Sequence, residues 1–218
     1  EHIYNWYKTM QLAEAQLRKY IRQILLAESI DSKIMSMIDR AEKAGFRALI
    51  RSGYVAVYDP SIDVSGYEDG YVGFKNSLAR VSWHKLPGSG AFKCSGARRV
   101  IISSAEDFGM GPLAYDIAIE ATGGLMPDRI EVSDEARAVW DYYLNSRSDV
   151  QSFQLDNELD SLTPGLEDDN CLQKSARVVS GQREVPSARE ADDSWAKSAL
   201  SKMYKKSGTP VIDELRRR

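Results

Sequence analysis

Two histidines and two cysteines are too few to build a metal centre or a disulfide framework in a chain of 218 residues. Cys94 and Cys171 lie far apart, with no metal-ligand spacing between them. No apolar run approaches the roughly 18 residues that a membrane-spanning helix requires. No stretch near the start has the composition of a secretory signal. Charge of one sign is also missing. Lys and Arg number 29 against 32 Asp and Glu, a net charge of −3, which leaves no electrostatic footprint for nucleic acid. These absences point to a soluble intracellular protein with neither a membrane nor a nucleic-acid partner.

Hydrophobic residues make up 43% and charged residues 28% of the chain, an ordinary globular balance. The length suits one domain, or one domain with arms. Residues 1–52 read as helices, because Ile3, Trp6, Tyr7, Met10, Leu17, Tyr20, Ile21 and Ile24 recur at helical spacing. Ser29 or Asp31 can cap a second helix from Lys33 to about Ala44. Its apolar face is Ile34, Met37, Ile38 and Ala41, and either Gly45 ends it or it runs to Ser52.

From Gly53 the period shortens. Residues 54–59, 71–74, 77–86 and 98–104 read as strands joined by Gly-, Pro- and Asp-rich turns. A helix from Leu113 to Ala121 then leads to a short apolar run at Leu125–Met126, expected to lie parallel to 98–104, since such a crossover needs a helix. Another helix covers roughly Val132 to Leu144. The fold class read from this order is α/β, an α+β mixed sheet, with the core at 53–145.

After residue 145 the chain changes character. Asp149 to Asp193 carries eleven acidic against four basic residues, and Ser194 onward carries seven basic against two acidic. Residues 146–218 therefore read as a polar arm, its middle too poor in large apolar residues to order itself. A short terminal helix is expected from about Asp193 to Lys206, with Trp195, Leu200, Met203 and Tyr204 at helical spacing.

The stretch with chemical content is Arg98 to Leu144. An apolar strand runs into Glu106-Asp107-Phe108-Gly109-Met110-Gly111-Pro112 and opens a helix. Unpaired N–H groups and the helix dipole favour an anion at such a helix start, and glycines let the backbone approach it. Asp116 and Glu120 are candidates for inward carboxylates, although an exposed helix-face carboxylate is the commoner case. Asp128 and Arg129 follow the second strand, where open α/β sheets gather ligands. His84 reads as a surface or satisfied core histidine.

This stretch resembles the core of the GNAT-type N-acetyltransferases, which carry Gln/Arg-x-x-Gly-x-Gly/Ala between a strand and a helix. Residues 106–111 fall on that motif, and Ser133-x-x-Ala136-x-x-Val139-Trp140 is similar to the family's Asn-x-x-Ala-x-x-Leu-Tyr. With WDYYL and the later QLDNELDSLTP, the pattern also resembles acetyltransferase-like proteins of tailed bacteriophages.

The resemblance implies acetyl-CoA as cofactor, bound near Ser103 and Leu125. Its pyrophosphate would lie in the turn at Gly109, on the N–H groups of Met110, Gly111, Leu113 and Ala114. It implies N-acetyl transfer to an amine, with Tyr143 as the acid. Three positions depart from the family. Glu106 stands where Gln or Arg is usual, Pro112 removes an N–H, and Trp140 occupies the usual tyrosine position. The family also closes with two more strands, and no pair with strand period is legible after Leu144.

An alternative reading is a non-catalytic virion or assembly component on a degenerate acetyltransferase fold. It would grip protein partners, or other copies, through residues 1–30 and 150–218. The location expected is the host-cell cytoplasm or a virion.

Overall fold

The computed structural model describes residues 30–61, 77–84, 97–105, 109–128, 131–155, 177–178 and 197–218. The helices expected before residue 30, the strand expected at 71–74 and Trp195 lie outside these residues.

Helix α1 (Ser32–Lys43) starts where Asp31 caps it, accepting from the N–H groups of Lys33 at 2.9 Å and Ile34 at 3.2 Å. Its expected face of Ile34, Met37, Ile38 and Ala41 is buried. Gly45, at φ 76°, turns the chain out of it. The next residues do not prolong the helix. Arg47–Arg51 is a strand, β1, in a hairpin with β2 (Tyr54–Tyr58) across a turn at Ser52 and Gly53. Phe46, Leu49 and Ile50 fit a helical or an extended period equally, and the pairing with β2 decides between them.

Strands β3 (Ser77–Trp83) and β4 (Arg98–Ala105) continue the antiparallel meander. Helix α2 (Gly111–Thr122) crosses over to β5 (Leu125–Met126), which lies parallel to β4, with Arg98 opposite Leu125 and Arg99 opposite Met126. Every residue of α2 from Leu113 to Glu120 is buried, as expected of a helix enclosed on all sides. It touches β2, β3, β4, β5 and α1, and further along the chain strand β9 (Lys202–Lys206) and helix α4 (Pro210–Arg217).

Past β5 come β6 (Glu131–Val132) and α3 (Asp134–Ser146), which Ser133 caps through the Ala136 N–H. Strand β7 (Val150–Gln154), the short β8 (Arg177–Val178), a 3-10 turn at Ala199–Ser201, β9 (Lys202–Lys206) and α4 (Pro210–Arg217) complete the described chain. Strand β8 lies parallel to β6 in a separate two-stranded sheet. Among the described residues the main sheet has seven strands in the order β1-β2-β3-β4-β5-β9-β7, a mixed sheet with one parallel pair. No helix among the described residues is long and apolar enough to cross a membrane.

The described ends of the expected polar arm belong to this sheet and its core. Strand β9 inserts antiparallel between β5 and β7, so a closing pair of strands exists where sequence period showed none. The helix expected up to Lys206 is replaced, in its described part, by the 3-10 turn and β9. Tyr204 is fully buried in the main core, while Met203 packs on the other face with Ala97, Met126 and Leu155. A strand covered on both faces needs apolar residues on both, and a two-residue Met-Tyr step between lysines fits a helix pattern just as well.

Candidate functional site

Strand β4 stays beside β5 only at Arg98 and Arg99. From Val100 onward its register continues with β3 alone, and on the β5 side a cleft of about 510 Å³ opens. Val100, Ile101, Ile102 and Ser103 of β4 form one wall. Tyr115 of α2, Asp128 after β5, and Val132, Ser133, Ala136 and Trp140 around the start of α3 form the rest. Ile101 and Ile102 are 39% and 49% exposed, the apolar side chains of an open strand edge. The cleft walls are polar and apolar in about equal measure, and they include two serine hydroxyls, one tyrosine and one carboxylate.

Ser103, expected at the ligand, lies in this wall and accepts a hydrogen bond from the Tyr115 hydroxyl at 2.8 Å. Burial pushes the Tyr115 pKa up to about 12; the Ser103 bond opposes this and Asp128 adds to it. Trp140 is 1% exposed, stands edge-on to Tyr115 and stacks on Tyr204 at 5.1 Å between ring centroids. His84 is not part of the cleft. It contacts the Arg99 guanidinium, and burial followed by Arg99 lowers its pKa.

The glycine turn sits at the same end of β4. Gly109 has φ 65°, a conformation that favours glycine, and a Cβ on Gly111 would meet the Ala105 Cβ at 3.4 Å. Helix α2 starts at Gly111 with Pro112 in its first turn and no side-chain cap on its N–H groups. Of the expected cradle, Ala114 donates to the Met110 carbonyl at 3.1 Å and is committed to the helix. The N–H groups of Gly111 and Leu113 lie in the first turn, where a helix offers no acceptor of its own, and Pro112 has no N–H. The side chains of Met110, Leu113 and Ala114 are buried in the core. Glu106, Asp107 and Phe108 lie outside the described residues.

Arg40 of α1 is the cation that the sequence pattern did not single out. Its Nη2 lies 3.8 Å from where a Gly109 Cβ would be. No spacing in the sequence links positions 40 and 109, so only the packing of α1 on α2 could reveal it.

Tyr143, expected as the acid, faces away from the cleft into a buried ionic cluster. Its single hydroxyl hydrogen goes to Asp116 Oδ1 at 2.7 Å, the shorter of two acceptor contacts, with the Pro112 carbonyl 3.1 Å away. Burial, and then Asp116, hold its pKa well above the ordinary tyrosine value. Asp116 and Glu120 both point inward, against the commoner case for a helix face. Arg147 pairs with both oxygens of Asp116 at 2.8 Å and with both oxygens of Asp149 at 2.7 Å. Lys206 reaches Asp116 at 2.9 Å and Glu120 at 2.6 Å. Glu120 in turn accepts from the N–H groups of Val211 and Ile212, and so caps α4, whose own Thr209 makes no cap bond. Burial opposes the charges on Arg147 and Lys206, but the surrounding carboxylates outweigh it and raise both pKa values.

This cluster resembles an active site in composition and differs from one in its saturation. Each side chain in it has its partners within the fold. No group of His, Cys, Asp and Glu among the described residues could hold a metal ion. Comparison with family models, curated proteins and solved structures found no match for this chain.

Proposed function

We propose that the cleft binds an acyl-coenzyme A and that the protein transfers the acyl group to an amine. The observation that carries this reading is the parting of β4 from β5 after Arg99, beside a glycine turn that opens a helix. The pantetheine arm of coenzyme A is an extended chain with two amides. It suits an open strand edge, which offers alternating N–H and C=O groups to a chain laid alongside. The apolar walls at Ile101, Ile102, Val132 and Ala136 match its methylene segments.

The turn at Gly109 to Gly111 would hold the pyrophosphate, with Arg40 supplying the charge that Glu106 does not. Attack by the amine on the thioester would then occur among Ser103, Tyr115 and Asp128, and Tyr143 would keep its place in the ionic cluster. A phage relationship of the chain belongs to the same reading and rests on the resemblance alone.

Calorimetric titration with coenzyme A tests the reading. Binding should weaken by about tenfold in Arg40→Gln, the scale of one charge-assisted hydrogen bond. Binding of pantetheine, which lacks the pyrophosphate, should be the same in both proteins. An absence of heat and of thermal shift at millimolar coenzyme A overturns the reading, and leaves the non-catalytic assembly component as the alternative.

A further inference from the structure

Three tyrosines of α2 and α3 have their hydroxyls hydrogen-bonded within the fold, and two of them are taken by carboxylates. Tyr142 donates to Asp31 at 2.6 Å and Tyr143 to Asp116 at 2.7 Å. Tyr115 differs. Its ring is 3% exposed, held edge-on to Trp140 at 5.0 Å between centroids, and its hydroxyl meets Ser103 Oγ in the cleft wall. A phenol is a better donor than an aliphatic alcohol, so Tyr115 gives its hydrogen to Ser103. The Ser103 hydrogen is then left to point elsewhere, and Ser103 is half-buried and faces the cleft.

A hydroxyl backed by a second hydroxyl is a strengthened donor, and apolar surroundings strengthen it further. Buried Val100, Val132 and Ala136 supply part of such surroundings, beside the Asp128 carboxylate and the Ser133 hydroxyl. Such a donor is worth most where negative charge develops during a reaction, and less against an uncharged amide. In a thioester that gives up its acyl group, the departing sulfur is an atom that becomes negatively charged.

On the acyl-coenzyme A reading, we propose that Ser103, positioned by Tyr115, donates a hydrogen bond to the sulfur of coenzyme A in the cleft. In the transfer, the amine nitrogen bonds to the acyl carbon. The C–S bond breaks with its electron pair going to sulfur, and the ammonium formed loses its proton to water. Ser103 stabilises the thiolate without giving up its own proton, and solvent protonates the sulfur on release. Burial keeps the Tyr115 hydroxyl protonated through the neutral range, as a positioning donor requires. Ser103 touches the reacting sulfur and is the catalytic residue; Tyr115 acts through it.

The test uses the full chain with coenzyme A itself, read by the ultraviolet absorbance of the bound thiolate at one mildly alkaline pH. A donor to the thiolate favours its charged form. Tyr115 and Asp128 are the ionisable residues in the cleft wall, and Asp128 opposes thiolate formation equally in the protein and its variants. The thiolate-to-thiol ratio of bound coenzyme A should fall about tenfold in Ser103→Ala, the scale of a hydrogen bond to a charged group. It should fall by a smaller factor in Tyr115→Phe, which keeps the ring against Trp140. Tyr143→Phe should leave the ratio unchanged.

Binding with the same ratio in all three variants overturns the donor assignment and leaves the cleft reading standing. A loss confined to Tyr143→Phe overturns it in favour of the other tyrosine. Failure of coenzyme A to bind the unaltered protein removes both. If Tyr115→Phe does not fold, Ser103→Ala alone decides.

Discussion

The cleft and the ionic cluster lie on the two sides of one helix, and each holds a tyrosine, a carboxylate and polar partners. In the cluster, Asp116, Glu120, Arg147, Lys206 and Tyr143 use one another. In the cleft, Ser103 and Tyr115 share one bond beside an open strand edge, with room for about 510 Å³ of ligand. Strongly shifted pKa values often mark functional sites, yet here the larger set belongs to the closed side. The cluster joins α2 to α3, β9 and α4, so its carboxylates and cations serve the assembly of the fold. A reactive inventory of residues is not a site until some of its bonding capacity is left over.

The comparison breaks most severely if the chain is cut. Removing residues 150–218 takes away β7, β9, α4, Lys206 and the buried Tyr204. The remainder is expected not to fold cooperatively, with no protected core in amide hydrogen exchange. A folded remainder would show that the cluster and the last strands are dispensable.

A smaller effect is expected from Arg147→Met. Breaking a buried pair by removing one partner costs about 3–5 kcal/mol, because the other charges stay buried. Denaturant unfolding should show this loss, while coenzyme A affinity in the folded fraction should hold. An equal loss of affinity would mean that cluster and cleft are coupled.

Asp149→Asn sharpens the contrast through pH. Burial works against the Asp149 charge, but Arg147 and Lys206 outweigh it and hold its pKa below the ordinary carboxylate value. A depressed folded pKa contributes stability that is complete above the unfolded value and lost as pH falls through the folded one. The gap between protein and variant should be about 1–3 kcal/mol near neutrality. It should narrow below about pH 4, the ordinary range of an aspartate. A gap that stays constant into acid would exclude the ion pair as its source.

The site is partly legible in the sequence. Strand, glycine turn and helix were readable at 98–122 because apolar period, positive-φ glycine and proline each act locally. Ser103 came from the family resemblance alone, whereas the Gly109 turn follows from that pattern. Arg40 did not, since its approach to Gly109 depends on the packing of α1. Nor did the division of labour between Tyr115 and Tyr143, which turns on which wall each hydroxyl meets.

Elements whose signals are local can be read from the order of residues alone. A cap at Ser29 or Asp31, the apolar face of α1, the meander of β2 to β4, the existence of α2 and the parallel step to β5 all belong to this group, whereas the burial of α2 on every side does not. Tertiary structure decided the rest. Arg47–Arg51 became a strand because β2 offers a partner, and Lys202–Lys206 became one because β5 and β7 leave a gap. Asp116 and Glu120 turned inward because Arg147, Lys206 and the start of α4 supply opposite charge and N–H donors. A carboxylate on a helix is stable in either setting, and only partners distant in the chain make the buried one affordable.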